Sequence, residues 1–377
     1  MMNVSWRAWR DAWLEIDLGN LVHNLQQIRR YLSSDCQFMA VVKADAYGHG
    51  AVKVVETLIQ EGIRHFGVAT FEEGMELRVL DRDCEILILG ALPLAVLPAA
   101  IAADLSCTVF NYDQIAVCRK IAQAGLYRPK VHIKLDTGMH RLGVNPDCAV
   151  EFIKYVQSCP EVELRGIFTH LACAEDEMCS QQQIVRWEEI ISRIDNRDLL
   201  LHLANSAATL SYRDKYSNLC RLGLILYGLY PDMPSTWSVN LSLKSLITLK
   251  SKIVDVHVLA AGEGVGYGYR YHTSRPSVVA TIPLGYADGI PRALSGQLIV
   301  RVNGKLVKQV GSIAMDQMMI DVTDCDARLG DTVTLLDDEL TVDSWAALAN
   351  TISYEILCAL RARLPKFYHH SAHDRTL

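Results

Sequence analysis

From about residue 12 to 240 the chain alternates short apolar runs with amphipathic stretches of helical period. This repetition restricts the fold more than any other feature. The runs are Trp13–Ile16, Phe38–Val42, His65–Val68, Ile86–Leu89, Cys107–Phe110, Val131–Leu135, Leu164–Phe168 and Leu199–Leu203. Helical stretches such as Leu21 to Leu32 and Ile184 to Ile194 separate them. Strand–helix units in such a series predict a parallel sheet with crossover helices, and this many in succession predict a (β/α)8 TIM barrel. A doubly wound open sheet shares the pattern, but no run is followed by G-x-G-x-x-G or by a P-loop.

After about Leu241 the pattern changes to strand-like runs punctuated by turn residues. Examples are Ile253–Leu259, Ser277–Ile282, Leu298–Val302, Met319–Val322 and Thr332–Leu336. Asn303-Gly304 between two Val/Leu-rich runs is a hairpin signal. The expected class is therefore α/β, with residues 12–240 forming the barrel and 241–377 a C-terminal mostly-β domain. Residues 1–11 are expected to associate with the second domain.

Composition narrows the setting. The 377 residues include eleven cysteines, an odd number with no C-x-x-C pair, which reads as thiols in a reducing compartment and not as a disulfide framework or zinc site. A net charge of −6 with mixed signs gives no footprint for nucleic acid. Residues Ile86 to Ala103 are uncharged and apolar, but Gly90, Pro93 and Pro98 interrupt them. They read as a buried strand, a turn and a small-residue helix, with no membrane span. The first residues lack an apolar h-region, so a cytoplasmic protein without a metal is expected.

In a barrel, active residues lie at the C-terminal ends of strands. The candidates there are Lys43, Lys134 with Asp136, His170, Asn205-Ser206 and Arg221. A lysine ending a buried strand is desolvated, which lowers its pKa and frees the amine for a Schiff base. The plain alternative is a lysine whose stem snorkels to water or to Asp45. Tyr47-Gly48-His49-Gly50 offers backbone that an anion can approach. Glu175-Asp176-Glu177 admits a paired-carboxylate hydrolase, or simply a solvated turn. Val265-Gly266-Tyr267-Gly268-Tyr269-Arg270-Tyr271 reads as a hairpin with aromatic packing or as a functional tyrosine turn.

Together these segments resemble bacterial alanine racemases. Ala40-Val41-Val42-Lys43-Ala44-Asp45-Ala46-Tyr47-Gly48-His49-Gly50 is similar to the signature around that family's cofactor-binding lysine. The resemblance continues through Lys134-Leu135-Asp136-Thr137-Gly138-Met139-His140-Arg141-Leu142-Gly143, Ala204-Asn205-Ser206, Arg221-Leu222-Gly223, Gly285-Tyr286-Ala287-Asp288-Gly289, Met315-Asp316-Gln317 and Ser353-Tyr354-Glu355. It implies a barrel that holds pyridoxal 5′-phosphate and a β domain that completes the partner subunit's site in a homodimer. The implied activity is interconversion of L- and D-alanine, supplying D-alanine for peptidoglycan.

The resemblance also implies roles. Lys43 would bind the cofactor and act as one base; Tyr267 of the other subunit would be the second. Tyr47, Asn205, Ser206, Tyr354 and the backbone at Gly223 and Leu224 would serve the cofactor and its phosphate. Arg221 would face the pyridine nitrogen and His170 would support the ring. Arg141 and the backbone at Met315 would take the substrate carboxylate, with Tyr286 narrowing the entrance. Lys134 matches a lysine that is often carbamylated, and His202 and Asp316 would support the site. Ser312 and Ala314 depart from the common pattern, where arginine and cysteine are frequent, which leaves open a serine or broad-spectrum racemase. A more distant alternative is a barrel that carries the cofactor without catalysis.

Overall fold

The computed structural model describes residues 10–125, 127–232, 239, 241–360 and 363–371. The chain divides into two compact units. One contains Leu21–Ala46 and Ala51–Lys244; the other contains the chain up to Asn20, the short piece Tyr47–Gly50, and everything from Ser245 onward.

The first strand among the described residues is β1 (Ala12–Asp17). The barrel strands follow as β2 (Gln37–Val41), β3 (His65–Val68), β4 (Glu85–Ile88), β5 (Ser106–Val109), β6 (Lys130–Lys134), β7 (Glu163–Phe168), β8 (Leu200–His202) and β9 (Leu219–Leu222). All eight barrel strands are parallel and are joined in the order β8-β7-β6-β5-β4-β3-β2-β9. The two ends of that order meet: Asn218 N–H donates to Leu201 O, and Arg221 N–H to Ala204 O, each at 3.0 Å. Both faces of such strands are covered, so Leu87, Ile88, Cys107, Val109, Val131 and Ile133 are fully buried. Several of the intervening helices start where short polar side chains cap them. Asn111 accepts from Gln114 N–H, and Asp176 accepts from Cys179 N–H.

One expectation is corrected here. Trp13–Ile16 is not a barrel strand; the eighth position belongs to Leu219–Leu222. In β1, Ala12, Leu14 and Ile16 are buried, while Trp13 and Glu15 reach the surface, where Glu15 pairs with Lys250 at 2.8 Å. A strand with one wet face suits an antiparallel sheet, not the doubly covered wall of a barrel. β1 accordingly pairs antiparallel with β10 (Ile247–Lys252) and parallel with Lys366–His369. Of the segment 1–11, residues 1–9 lie outside the described residues. Arg10 pairs with Asp288 at 2.6 Å, and Asp11 O accepts from Lys252 N–H at 2.9 Å.

The β unit is built on a nine-stranded sheet. Its Ile299–Val302/Lys305–Val310 hairpin turns through Asn303 and Gly304, both at positive φ. That is the conformation the Asn-Gly pair favours. The apolar segment after Glu85 forms β4 and then the helix Leu97–Ala102. Among the described residues no helix is long and apolar enough to cross a membrane.

Candidate active site

Lys43 follows β2 by two positions, at the C-terminal end of the barrel. The chain then does something rare: Ala44, Asp45, Ala46 and Tyr47 all take left-handed φ, between 52° and 56°. Each non-glycine residue there costs on the order of 1–2 kcal/mol. The surroundings hold the turn in place. Ala46 N–H donates to Val42 O at 2.8 Å. The Glu73 carboxylate accepts from Ala44 N–H through one oxygen and from Ala69 N–H through the other, both at 2.7 Å. Asp45 Oδ1 accepts from Ala51 N–H at 2.7 Å, where the helix Ala51–Gln60 begins. Glu73 was not foreseen from sequence, because its partners are backbone amides brought near only by folding.

Around this lysine the barrel gathers charge. Lys134 ends β6 and is only 6% exposed. Burial, then the cations of Arg141 and Arg221, push its amine down to about 8, against the pull of Asp136. Burial also holds His170 well below its ordinary value, aided by Arg221, Arg141, Lys134 and Lys43. Arg221 itself is buried in β9. Its Nη2 donates to Thr169 O at 2.9 Å and Leu203 O at 3.2 Å and lies 3.1 Å from His170 Nδ1. Its Nη1 donates to His202 O and lies 3.2 Å from His202 Nδ1. Every one of these acceptors is neutral. Burial lowers the guanidinium to about 10, which leaves it charged at neutral pH.

Asn205 caps the helix Ser206–Tyr212 by accepting from Ala208 N–H. That fixes Ser206, whose Oγ accepts from Gly223 N–H at 3.1 Å just before the turn Leu224–Tyr227. Lys43, Lys134, Arg141, His170, Asn205, Ser206, Arg221, Gly223 and Leu224 thus all belong to the barrel unit.

The other candidates belong to the β unit. Tyr47 is buried with its ring 5.8 Å from that of Tyr354, and burial together with Tyr354 raises its phenol. Tyr267 opens the short turn Tyr267–Tyr269 between Gly266 and Gly268, both at φ 72°. It is 75% exposed. Ser312 Oγ donates to its carbonyl at 3.1 Å, so this departure from the common pattern steadies the tyrosine turn. Tyr286 and Met315 are joined through backbone: Tyr286 N–H donates to Ala314 O and Ala287 N–H to Met315 O, both at 3.0 Å. A Cβ at Gly285 would fall 2.3 Å from Ala314 O, so only glycine permits this approach. Asp316 pairs with Arg363 at 2.7 Å. In the acidic trio Glu175-Asp176-Glu177, Asp176 caps the helix Glu177–Ile191 by accepting from Cys179 N–H.

The barrel unit gathers four basic side chains, which suits it to a small anionic ligand, and the β unit presents an exposed tyrosine. Comparison with known proteins makes that class specific. Residues 16–231 match the family model "Alanine racemase, N-terminal domain" and 246–368 match "Alanine racemase, C-terminal domain". The alanine racemase of a Nostoc species is 42% identical over 375 residues, covering 96% of both chains. The solved alanine racemase of Clostridium difficile superposes with a TM-score of 0.90 at 34% identity, covering 96% of both chains. That of Bartonella henselae, solved with covalently bound pyridoxal phosphate, gives 0.87 at 30% identity and covers 95% of this chain and 99% of its own. This chain belongs to the alanine racemase family.

Proposed function

We propose that the chain interconverts L-alanine and D-alanine with pyridoxal 5′-phosphate, as a cytoplasmic homodimer, and so supplies D-alanine for peptidoglycan. The carrying observation is the group of Lys43, Lys134, Arg141 and Arg221 around a neutral His170. Such a donor set fits a phosphate and a substrate carboxylate together. Ser206 and the backbone at Gly223 and Leu224, with Asn205 beneath them, would hold the phosphate, along with Tyr47 and Tyr354. Arg221 would face the pyridine nitrogen as a donor and His170 would support the ring. When bound, the cofactor supplies a sink for the electron pair left at Cα.

The chain's own residues handle the proton. Inversion requires removal from one face and return to the other, so two bases are the minimal set. Lys43 serves one face. Tyr267 of the partner subunit serves the other, in keeping with its exposure on a single chain. Arg141 and the Met315 backbone take the carboxylate, and Tyr286 and Asp316 flank them. The lowered amine of Lys134 makes more of the neutral form available than an ordinary lysine has, and that form would add to CO2 with loss of one proton to give a carbamate that orients Arg141. Because Arg221 cannot accept a proton, a ring that it faced would be a restrained sink, which would disfavour side reactions. All eleven cysteines are free thiols, including Cys36 and Cys220 with Sγ atoms 3.4 Å apart, as a reducing compartment would keep them.

The test is racemisation of both enantiomers of alanine and of serine by wild type, Lys43→Ala and Tyr267→Phe. Inversion of alanine by wild type, with loss of bound cofactor absorbance in Lys43→Ala, is expected. Preference for serine would move the substrate assignment; inversion of neither would refute the reading.

A further inference from the structure

We propose that Glu85 and His132 are positioning residues: with His202 they form a buried relay that runs from the first residue of β4 to Arg221 and fixes the direction of every hydrogen bond along it. Glu85 Oε1 lies 2.7 Å from His132 Nε2. His132 Nδ1 lies 2.9 Å from His202 Nε2, and His202 Nδ1 lies 3.2 Å from Arg221 Nη1. Both histidines are fully buried.

Donor and acceptor counting settles the tautomers. A guanidinium only donates, so His202 Nδ1 must accept and its proton sits on Nε2. That proton is given to His132 Nδ1, which leaves the His132 proton on Nε2, facing a carboxylate that only accepts. The relay has a donor-only end and an acceptor-only end, and one arrangement satisfies both. An additional proton on either ring would set two donors against each other.

The barrel is shaped around this line. The β6–β7 pairing slips between Val131 and His132, which pairs with Gly166 and leaves Arg165 as the extra residue. A Cβ at Gly166 would fall 2.6 Å from His132 Nδ1, so the glycine leaves room for the ring. The extra residue turns Arg165 onto Glu85 Oε2 at 3.0 Å. The other groups facing Glu85 are Ser106 Oγ at 3.0 Å from β5 and His65 Nδ1 at 3.6 Å from β3. Phe168 stacks flat on His202 at 4.7 Å. Burial raises the Glu85 carboxyl, but His132, His65 and Arg165 outweigh it and hold it below the usual range. Burial, with His132 and Arg221 nearby, keeps His202 well below its ordinary value and so neutral. The relay reaches from the N-terminal end of the barrel strands to the end that holds the candidate site. Its effect on catalysis rests on the role of Arg221 given above; its tautomers do not.

The experiment is 15N spectroscopy of histidine-labelled full-length holoenzyme, with kinetics on the same samples. His132 and His202 should each show a proton on Nε2, and His202 should stay neutral down to about pH 5. In Glu85→Gln the guanidinium end still sets both tautomers, but the His132 Nε2 proton loses its charged acceptor and its resonance should shift upfield, and kcat should fall about tenfold while KM for alanine changes by less than about twofold. Arg165→Met, which weakens the same barrel end without entering the relay, should lower stability and leave the tautomers unchanged. A proton on His202 Nδ1 in wild type, or titration of His202 near its ordinary value, would overturn the relay, whether or not Glu85→Gln folds. An unchanged kcat in folded Glu85→Gln would overturn the positioning role. Full activity in Arg221→Ala would instead refute the reading of Arg221.

Discussion

Lys134 is a lysine the fold makes uncomfortable. Its amine titrates near 8 in the folded chain, against about 10.4 when unfolded. Between those values the unfolded chain binds more protons, so stability rises with pH across that window and the penalty is full below about 8. In bicarbonate-free buffer the melting temperature of wild type, relative to Lys134→Met, should rise as pH passes from about 8 to about 10. A parallel pair of curves would mean that Lys134 is not buried as charge. Added bicarbonate should add the mass of one CO2 to wild type under native mass spectrometry and to no Lys134→Met chain. Glu73 acts at the same scale. Glu73→Ala strips Ala44 N–H and Ala69 N–H of their shared acceptor. A loss of about 2–5 kcal/mol in urea unfolding is expected, with weaker cofactor retention because Lys43 adjoins the strained turn. The partners of Lys134 were readable from the motifs, but those of Glu73 were not: Ala44 and Glu73 are separated by a strand and a helix, and only the fold joins them.

At the scale of elements, the barrel was legible because its strands are continuous apolar runs with helices between them. The misassigned run, Trp13–Ile16, carries its own contrary signal in Glu15, a charge in mid-strand that marks a wet face. The strand that takes its place, Leu219–Leu222, escaped because Arg221 breaks its apolar run; the same buried arginine is the residue proposed to face the cofactor. The Asn303-Gly304 hairpin and the segment Ile86–Ala103 were readable from turn chemistry and from proline and glycine. The slip in β6–β7 was not, since Gly166 reads as an ordinary strand glycine until His132 is seen beside it. Gly166→Ala would press on both Leu200 O and the His132 ring. It should cost about 1–3 kcal/mol in thermal or urea unfolding and displace the His132 resonance. An unchanged His132 signal would show that the wall can yield there.

At the scale of the molecule, the residues divide between two units. The barrel unit holds Lys43, Lys134, Arg141, His170, His202 and Arg221; the β unit holds Tyr47, Tyr267, Tyr286, Met315 and Tyr354. Motif order in the sequence named all of these, and the family resemblance implied the second chain. If the working unit is a dimer, specific activity should fall on dilution in step with dissociation followed by ultracentrifugation. Constant specific activity through dissociation would contradict that.

The shared site is tested most directly by co-expressing Lys43→Ala and Tyr267→Phe chains, each inactive alone. A site built from Lys43 of one chain and Tyr267 of the other is restored once in every mixed dimer. Random pairing should therefore recover about a quarter of wild-type alanine racemisation. Recovery near that value is the predicted result; mixed dimers as inactive as either parent would contradict the account.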